Sequence, residues 1–536
     1  MKIALCQINQ TVGKLDTNRE KIIAFYKKSL SKGSQLTVFP ELAVSGYPPQ
    51  DLLYEKSFIE KSMQSLDKIS DVIGNTPIII GHVLSEFGSL FNTASIIQNG
   101  RIVGQHKKIL LPNYDIFDER RYFRPGKESI AHEIVIDGNS ISIGLQICED
   151  LWDDRYKRNI TKELVQSGSD LIINISASPF SVGKSRCREK LIREKVLKYS
   201  LPFLYCNLVG GQDELIFDGN SISFSSNGII NAKGKSFSED IVIVDLENNN
   251  HVSTSEISKE EEIFMGLKLG IKDYFYKTKH TNAIIGLSGG IDSALTACLA
   301  SESIGRENVL CVYMPTRYSS KHSMIDSKSL ASRLGVSFKI LPIDDLFSQY
   351  ENLFENEFRN LPKDVTEENI QARIRSNLLM SFSNKLDYLV LSTSNKTELA
   401  LGYCTLYGDM SGSLAAISDL HKNDVYKLGK WYNKSMGESI IPERTFTKSP
   451  SAELNKDQKD PFNYKIVSPL VREIIENERT TEDLIEIGYD QKLIKEIKKL
   501  IKNSEFKRKQ ASPGLRISNK AFGIGRRYPI VNGSKD

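Results

Sequence analysis

Cys148 closes the apolar run ISIGLQI and is followed at once by Glu149, Asp150 and Trp152. A thiol attacks an amide well only as the thiolate, so it needs a base and a nearby cation. Glu41, ending LTVFPEL beside Pro40, suits the general base. Lys108, between IVGQHK and ILLPNYDIFDERRYF, suits stabilisation of the thiolate and of a tetrahedral oxyanion. Taken singly, each type is ordinary: unpaired cysteines are mostly core residues, and long lysines snorkel. A second constellation lies in AIIGLSGGIDSALTACLA. It reads as a strand, a tight turn through Ser288, Gly289 and Gly290, and a helix from about Asp292. The turn leaves backbone N–H groups free for an anion, and the helix adds its positive end. Ser293 offers a hydroxyl, and Asp292 a hard carboxylate for Mg²⁺.

Two kinds of element must position these groups. The first half carries many short apolar runs, IALCQIN, LTVFPEL, PIIIGHV, TASIIQ, ISIGLQIC, LIINIS, PFLYCN, SISFSS and IVIVDL, which read as strands. Helical patterns lie between some of them, such as TNREKIIAFYKKSLSKG, so a mixed α/β layer structure is predicted. Residues 247–259, ENNNHVSTSEISK, have few apolar residues and no period, and read as a linker. Beyond it strand and helix patterns alternate: AIIGLS, NVLCVYMP, SMIDSKSLASRLG, SFKILPI, NIQARIRSNLLMSFSNKL and YLVLSTS. That order predicts βαβ units and a parallel sheet.

The chain has 536 residues, a length that predicts two to four domains. Lys and Arg number 71 against 67 Asp and Glu, too even a balance to make nucleic acid the default partner. The seven cysteines are scattered with no Cys-x-x-Cys pair, so neither a disulfide framework nor a zinc ribbon is expected, and a reducing cytoplasmic setting fits. The start MKIALCQINQTVGKLD is too polar for a secretory leader, and no apolar run reaches the ~18 residues that span a bilayer, so no membrane partner is expected.

PELAVSGYPP with Glu41, HKKILLPNYDIFDERRYF with Lys108 and IGLQICEDLW with Cys148 together resemble the nitrilase (carbon–nitrogen hydrolase) superfamily over residues 1–246. The resemblance implies an α-β-β-α sandwich and a Glu-Lys-Cys triad that hydrolyses C–N bonds through a thioester. It also selects Lys108 over Lys107, because the family pattern puts two residues between the catalytic lysine and Leu-Pro. PNYxxFDExRYF and SASPFSVGK look like the glutaminase branch attached to NAD synthetases, where the equivalents of Tyr114, Phe117, Glu149, Ser178 and Lys184 shape the glutamine site. Lys184 and the Ser178 hydroxyl suit an α-carboxylate and Glu149 an α-ammonium. The family often has Arg where Lys184 stands, so a bidentate contact is lost here. SPFSVGKS also mimics a phosphate loop, but Ser178 replaces its first Gly and Pro179 follows, so a glutamine-site role is expected instead.

SGGIDS resembles the pyrophosphate loop of ATP pyrophosphatases, and EENIQARIRSNLLM, STSNKTELALGYCTLYGDMSGSLAAISDLHKNDVY and KSPSAEL resemble NAD synthetases within residues 260–536. FKRKQASPGLRISNKAFGIGRRYPI resembles the end of the glutamine-dependent form. The resemblance implies a doubly wound parallel-sheet domain of the adenine nucleotide alpha hydrolase type, with ATP as co-substrate and Mg²⁺ as cofactor. Carried over by motif, Gly286, Leu287, Ser288, Gly289, Gly290, Ile291, Asp292 and Ser293 hold ATP phosphates, Thr393 and Lys422 contact ATP, and Asn369, Arg373 and Lys509 hold deamido-NAD⁺. Glu398 joins Asp292 at magnesium or faces that substrate. The implied reaction is amidation of deamido-NAD⁺ through an acyl adenylate. Its ammonia comes from glutamine along an enclosed route, in a homo-oligomer built on a synthetase dimer. Two departures stand out: Ser413 replaces a usual Gly, and the loop after Leu454, with Asp457 to Pro461, looks shortened. A tRNA-modifying ATP pyrophosphatase with an accessory amidase domain is the alternative reading of the SGGIDS loop.

Overall fold

Side-chain alternation decides the layering of the N-terminal half. In Lys2–Gln7, Ile3 and Leu5 point one way, and Ala4 and Cys6 the other, and all four are buried. A strand buried on both faces must lie inside a layered structure. The computed structural model, which describes residues 1–247, 251–252 and 257–534, bears this out within the first of two compact units, Met1–Ile257 and Ser258–Asp536. One six-stranded sheet runs Asp240–Asp245, Lys2–Gln7, Leu36–Val38, Ile78–Glu86, Ser89–Gln98, Arg101–Lys107. A second runs Ile230–Lys233, Ile222–Phe224, Phe203–Asn207, Leu171–Ser176, Asn139–Ile147, Ala131–Ile136. Ile3, Leu5 and Val38 meet Leu145, Ile147, Ile173 and Ile175 in the core between the sheets. On the outer face of the first sheet, Ala4 and Cys6 pack on Ile22 and Tyr26 of helix Leu15–Ser31 and on Leu66 and Ile69 of helix Lys56–Ser70. On the outer face of the second, Ile172 and Tyr205 pack on helices Ile160–Gln166 and Lys184–Tyr199. The order of layers is α-β-β-α, as the resemblance implied.

Neighbouring strands in the middle of each sheet are parallel: Lys2–Gln7 with Leu36–Val38 and Ile78–Glu86, and Asn139–Ile147 with Leu171–Ser176 and Phe203–Asn207. The carboxyl ends of such strands therefore emerge together, and Glu41, Cys148 and Ser178 all follow such ends within three residues.

The C-terminal unit is built on strands of near-continuous apolar sequence, Asn282–Gly286, Val309–Tyr313 and Tyr388–Ser392. Such strands are covered on both faces. They lie in one five-stranded parallel sheet ordered Ser337–Ile340, Val309–Tyr313, Asn282–Gly286, Tyr388–Ser392, Leu414–Ala415. Helices Lys259–Thr278, Ile291–Ile304 and Lys422–Met436 pack together, while Asp344–Phe354 and Val365–Leu386 pack against each other, the latter also against Asn282–Gly286 and Tyr388–Ser392. The order of crossovers reverses between Asn282–Gly286 and Tyr388–Ser392, and in doubly wound sheets the ligand crevice opens at that point. The predicted linker 247–259 falls partly outside the described residues; its end enters the helix Lys259–Thr278. Ser413 enters the edge strand with its N–H on the Val390 carbonyl at 2.8 Å. No helix among the described residues is long and apolar enough to cross a membrane.

Candidate functional sites

In the N-terminal unit, Cys148 ends the strand Asn139–Ile147 with φ +44°, in the left-handed region, and turns the chain sharply into a 3-10 segment. A non-glycine residue held there is strained unless its surroundings fix it. Asp150 does the fixing. Its fully buried carboxylate accepts from the N–H groups of Ile147 at 3.1 Å, Ile109 at 3.1 Å and Leu110 at 2.8 Å, and pairs with His106 Nε2 at 2.9 Å. The chain on either side of Lys108 and the turn at Cys148 are thus bound to one side chain.

Glu41 lies on a loop pressed against the neighbouring strand. A Cβ at Gly81 would meet Leu42 N at 2.4 Å and Pro40 O at 2.6 Å, so only glycine lets the loop pass. Glu41 is fully buried and accepts from Lys108 Nζ at 2.7 Å, Asn92 Nδ2 at 2.7 Å and the Ala177 N–H at 2.9 Å. Lys107, one residue earlier on the strand, points away to Glu86 and lies over the Phe91 ring. Lys108 also donates to Glu119 Oε1 at 2.8 Å, which accepts from Tyr47 OH at 3.0 Å as well. Burial opposes the Lys108 charge, but Glu119 and Glu41 hold its ammonium well above the usual lysine value. Burial pushes the Cys148 thiol up, and the Glu41 charge adds to this while Lys108 opposes it. The resting site is therefore a thiol beside a carboxylate–ammonium pair.

Glu119 belongs to the quoted FDERRYF string, yet nothing in its spacing marks it as a partner of Lys108. Burial pushes its carboxyl up to about 7, although Lys108 opposes this, and Oε2 is buried with no hydrogen-bond partner among the described residues. Beside the triad, Glu149 accepts from Tyr114 OH at 3.1 Å and from Tyr156 OH at 2.8 Å, and the Tyr114 and Phe117 rings meet edge to face at 5.5 Å. Burial raises the Glu149 carboxyl, which these hydroxyls oppose. Lys184 opens the helix Lys184–Tyr199 and lies 4.0 Å over the Trp152 ring. Burial, then Arg188 and Arg155, pull its ammonium down to about 8. It has no carboxylate partner among the described residues. The Ser178 hydroxyl accepts from Arg188 at 3.3 Å, and Arg188 is buried against Asp218.

In the C-terminal unit, one cavity at the carboxyl ends of the sheet is lined by Gly286, Leu287, Ser288, Gly290, Ile291, Asp292, Ser293, Thr393, Glu398 and Lys422. Gly289 has φ +78°, and a Cβ there would meet the Ser323 carbonyl at 2.6 Å. The Ser293 hydroxyl closes the turn on Ser288, accepting from its N–H at 3.2 Å. Lys422 Nζ bridges Asp292 at 2.6 Å and Glu398 at 2.9 Å. Asn395 donates to Asp292 at 2.9 Å and caps the helix Lys396–Leu401, whose third residue is Glu398. Burial pushes Glu398 up to about 7 despite Lys422, and Asp292 adds to this.

Asn369, Arg373 and Lys509 are not on the lining of this cavity. Asn369 accepts from Thr405 Oγ1 at 2.7 Å, Arg373 donates to the Leu406 carbonyl at 3.2 Å, and Lys509 is exposed beside Gln510, which accepts from Tyr407 OH at 2.7 Å. Asn369 and Arg373 therefore meet the 405–407 loop directly, and Lys509 is the sequence neighbour of a residue that does. On the cavity itself stand charged groups to which the sequence assigned no role, among them Arg375, Asp409, Lys448, Glu453 and Asp460. Asp460, in the loop after Leu454, accepts from Tyr403 at 3.1 Å and Tyr464 at 3.0 Å.

Comparison with known proteins matches each unit to a family. A carbon-nitrogen hydrolase family model matches residues 2–254, and an NAD synthase family model matches residues 263–511. The chain is 39% identical to the glutamine-dependent NAD(+) synthetase of Thermotoga maritima, covering 100% of this chain and 99% of that protein. It is 40% identical to the Synechocystis enzyme of the same name, with 99% and 98% covered. Among solved structures, the glutamine-dependent NAD⁺ synthetase of Acinetobacter baumannii, in complex with ADP, superposes with a TM-score of 0.80 at 37% identity, over 99% of this chain and 98% of that one. One from Cytophaga hutchinsonii, 20% identical with 99% and 98% covered, shares the fold at a TM-score of 0.86.

Proposed function

The chain belongs to the family of glutamine-dependent NAD(+) synthetases, ligases that amidate deamido-NAD⁺ to NAD⁺ with glutamine as nitrogen donor, and we propose how its residues divide that reaction. In the N-terminal unit Glu41 takes the Cys148 proton and the thiolate attacks the glutamine side-chain carbonyl. Lys108 stabilises the thiolate and the oxyanion that follows. The tetrahedral intermediate collapses, ammonia leaves with the proton returned by Glu41, and a thioester remains. Glu41 then deprotonates a water, which cleaves the thioester to glutamate and restores the thiol. Glu149 with Tyr114 receives the substrate α-ammonium, Phe117 walls the pocket, and Ser178 and Lys184 receive the α-carboxylate.

In the C-terminal unit the nicotinate carboxylate attacks the α-phosphorus of ATP, pyrophosphate leaves, and an acyl adenylate forms. Ammonia attacks the acyl carbon and AMP leaves, which yields the amide. The turn through Ser288, Gly289 and Gly290 cradles the phosphates, and Thr393 and Lys422 contact the nucleotide. Asn369, Arg373 and Lys509 bind deamido-NAD⁺ at the 405–407 loop. Asp292 and Glu398 offer two hard oxygens on the cavity wall, and no group of three or more His, Cys, Asp or Glu among the described residues is arranged to hold a metal alone. That donor set fits Mg²⁺, which takes one or two carboxylates and completes its shell with substrate phosphates and water. When bound, it would neutralise charge on the triphosphate and the departing pyrophosphate.

The observation that carries this division is that Glu41, Lys108 and Cys148 lie in one unit, and SGGIDS with Lys422 and Glu398 in the other. The test is an assay with deamido-NAD⁺, ATP and Mg²⁺, fed by either glutamine or ammonium. NAD⁺, AMP and pyrophosphate are expected in equal amounts from both donors, with glutamate only from glutamine. A chain that makes NAD⁺ from neither donor overturns the reading.

A further inference from the structure

Arg375 lies on the helix Val365–Leu386, and its side chain lines the synthetase cavity together with those of Ala372 and Leu379, its neighbours at helical spacing. Its Nε donates to the Met314 carbonyl at 3.0 Å, just past the strand Val309–Tyr313. That contact fixes the guanidinium plane and leaves both terminal NH₂ groups without a hydrogen-bond partner among the described residues. No carboxylate among them pairs with it within 4.0 Å. Two acidic groups that bear on its charge are engaged elsewhere: Glu453 accepts from the Ser320 N–H and hydroxyl at 3.0 Å and from Ser323 Oγ at 2.6 Å, and Asp409 accepts from the Thr405 N–H at 2.7 Å. Burial pulls the Arg375 guanidinium down to about 10, still charged at neutral pH. A guanidinium partly withdrawn from water without a counter-ion carries a cost, which is relieved when an anion enters.

The position selects the anion. Met314 stands two residues beyond Val312, which is in register with Gly286 and accepts from the Leu287 N–H at 2.9 Å. A Cβ at Gly286 would meet both Met314 Cε and Leu379 Cδ1 at 3.4 Å. The guanidinium and the glycine-rich turn therefore flank one space, and a phosphate chain cradled by the turn passes within reach of a planar fork suited to phosphoryl oxygens.

We propose that Arg375 is a binding residue of the synthetase site that receives phosphoryl oxygens of ATP, supplementing the backbone cradle of the SGGIDS turn. The proposal rests on the functional reading above. Its test uses the full-length enzyme with ammonium as nitrogen donor and saturating deamido-NAD⁺, titrating ATP for wild type, Arg375→Gln and Arg375→Lys. Titration calorimetry with ATP and with adenosine accompanies it, and circular dichroism checks folding. For Arg375→Gln, kcat/KM for ATP should fall about 10- to 100-fold, the range of one charge-assisted hydrogen bond. ATP affinity should fall with it, while adenosine affinity stays at the wild-type value. Arg375→Lys should lose less, since it keeps the charge but not the fork. Wild-type ATP dependence in Arg375→Gln, or in Arg375→Lys should the Gln variant not fold, overturns the proposal. So does an equal loss of ATP and adenosine affinity, which would mean the side chain packs on the nucleoside. A wild-type enzyme that makes no NAD⁺ would instead overturn the functional reading.

Discussion

Lys108 and Glu119 lie 2.8 Å apart with the ammonium fully buried, and the same ammonium holds Glu41 at 2.7 Å. Two carboxylates share one cation. Glu119 thereby shares the ammonium that would otherwise pair with Glu41 alone, and helps to hold it beside the general base. Glu119→Gln should lower glutamine-driven NAD⁺ synthesis by about 100-fold or more, the usual scale of general-base catalysis. Ammonium-driven synthesis should stay unchanged. Because the Glu119 carboxyl is pushed up to about 7 by burial, it takes a proton as pH falls through that value. Wild-type kcat/KM for glutamine should therefore decline below about pH 7, a limb that belongs to the coupled Glu119–Lys108–Glu41 set. A Gln variant with wild-type glutamine turnover would remove Glu119 from the machinery.

This partner was not legible in the sequence, although the triad was. Glu41 and Cys148 announce themselves as polar residues closing apolar strand runs. Glu119 sits in a loop, and only the folded path of 109–119 brings it back to Lys108. A similar limit separates Arg373 from Arg375. Residues two apart on a helix project about 200° apart, so the pair cannot share a face. Arg373 turns with Asn369 to the 405–407 loop, and Arg375 with Ala372 and Leu379 to the cavity. The string NIQARIRS shows two arginines; which faces the sheet depends on where the helix is docked. The layers themselves were legible because strand alternation and the βαβ rhythm are local properties.

Cys148→Ala should abolish glutamine-driven synthesis and keep the ammonium-driven rate, since the proposed synthetase cavity is lined by residues of the C-terminal unit. Both rates are read on one preparation. Loss of both in a folded protein would count against the division into two sites.

Asp150→Ala removes an acceptor used by three backbone N–H groups and His106, all buried. Leaving such donors unpaired costs about 1–3 kcal/mol each at the outset, less what relaxation recovers. The N-terminal unit should unfold at a lower temperature by calorimetry. Glutamine turnover should fall even where the variant is still folded, because the Cys148 turn loses its anchor. An unchanged melting profile would show that the carboxylate is dispensable.

Asp292→Asn keeps the shape of the Lys422 contact but removes a charge from the cavity wall. A hard anionic ligand is lost, and Lys422 is left paired with Glu398 alone. NAD⁺ formation should fall about 100-fold or more from either nitrogen donor, on the scale of lost transition-state charge stabilisation. Hydrolysis of glutamine by Cys148 should persist. Normal synthesis in this variant would withdraw Asp292 from the phosphate site.

Lys184 gives the alkaline limb. Its ammonium is pulled down to about 8, chiefly by burial over Trp152 and also by Arg188 and Arg155. A lysine with a lowered value loses its charge as pH rises through that value, so the free enzyme should lose affinity for the glutamine α-carboxylate above about pH 8. The decline should appear in kcat/KM for glutamine, which reports the free enzyme. Lys184→Met should raise the glutamine KM about 10- to 100-fold at pH 7, for one charge-assisted hydrogen bond of ~1.5–3 kcal/mol. Lys184→Arg should restore binding and erase the alkaline decline, because a guanidinium does not titrate in that range. Ammonium-driven synthesis should be indifferent to both changes at fixed pH. If Lys184→Met leaves the glutamine KM unchanged, the carboxylate is held elsewhere, and Arg188 beside Ser178 becomes the group to vary next.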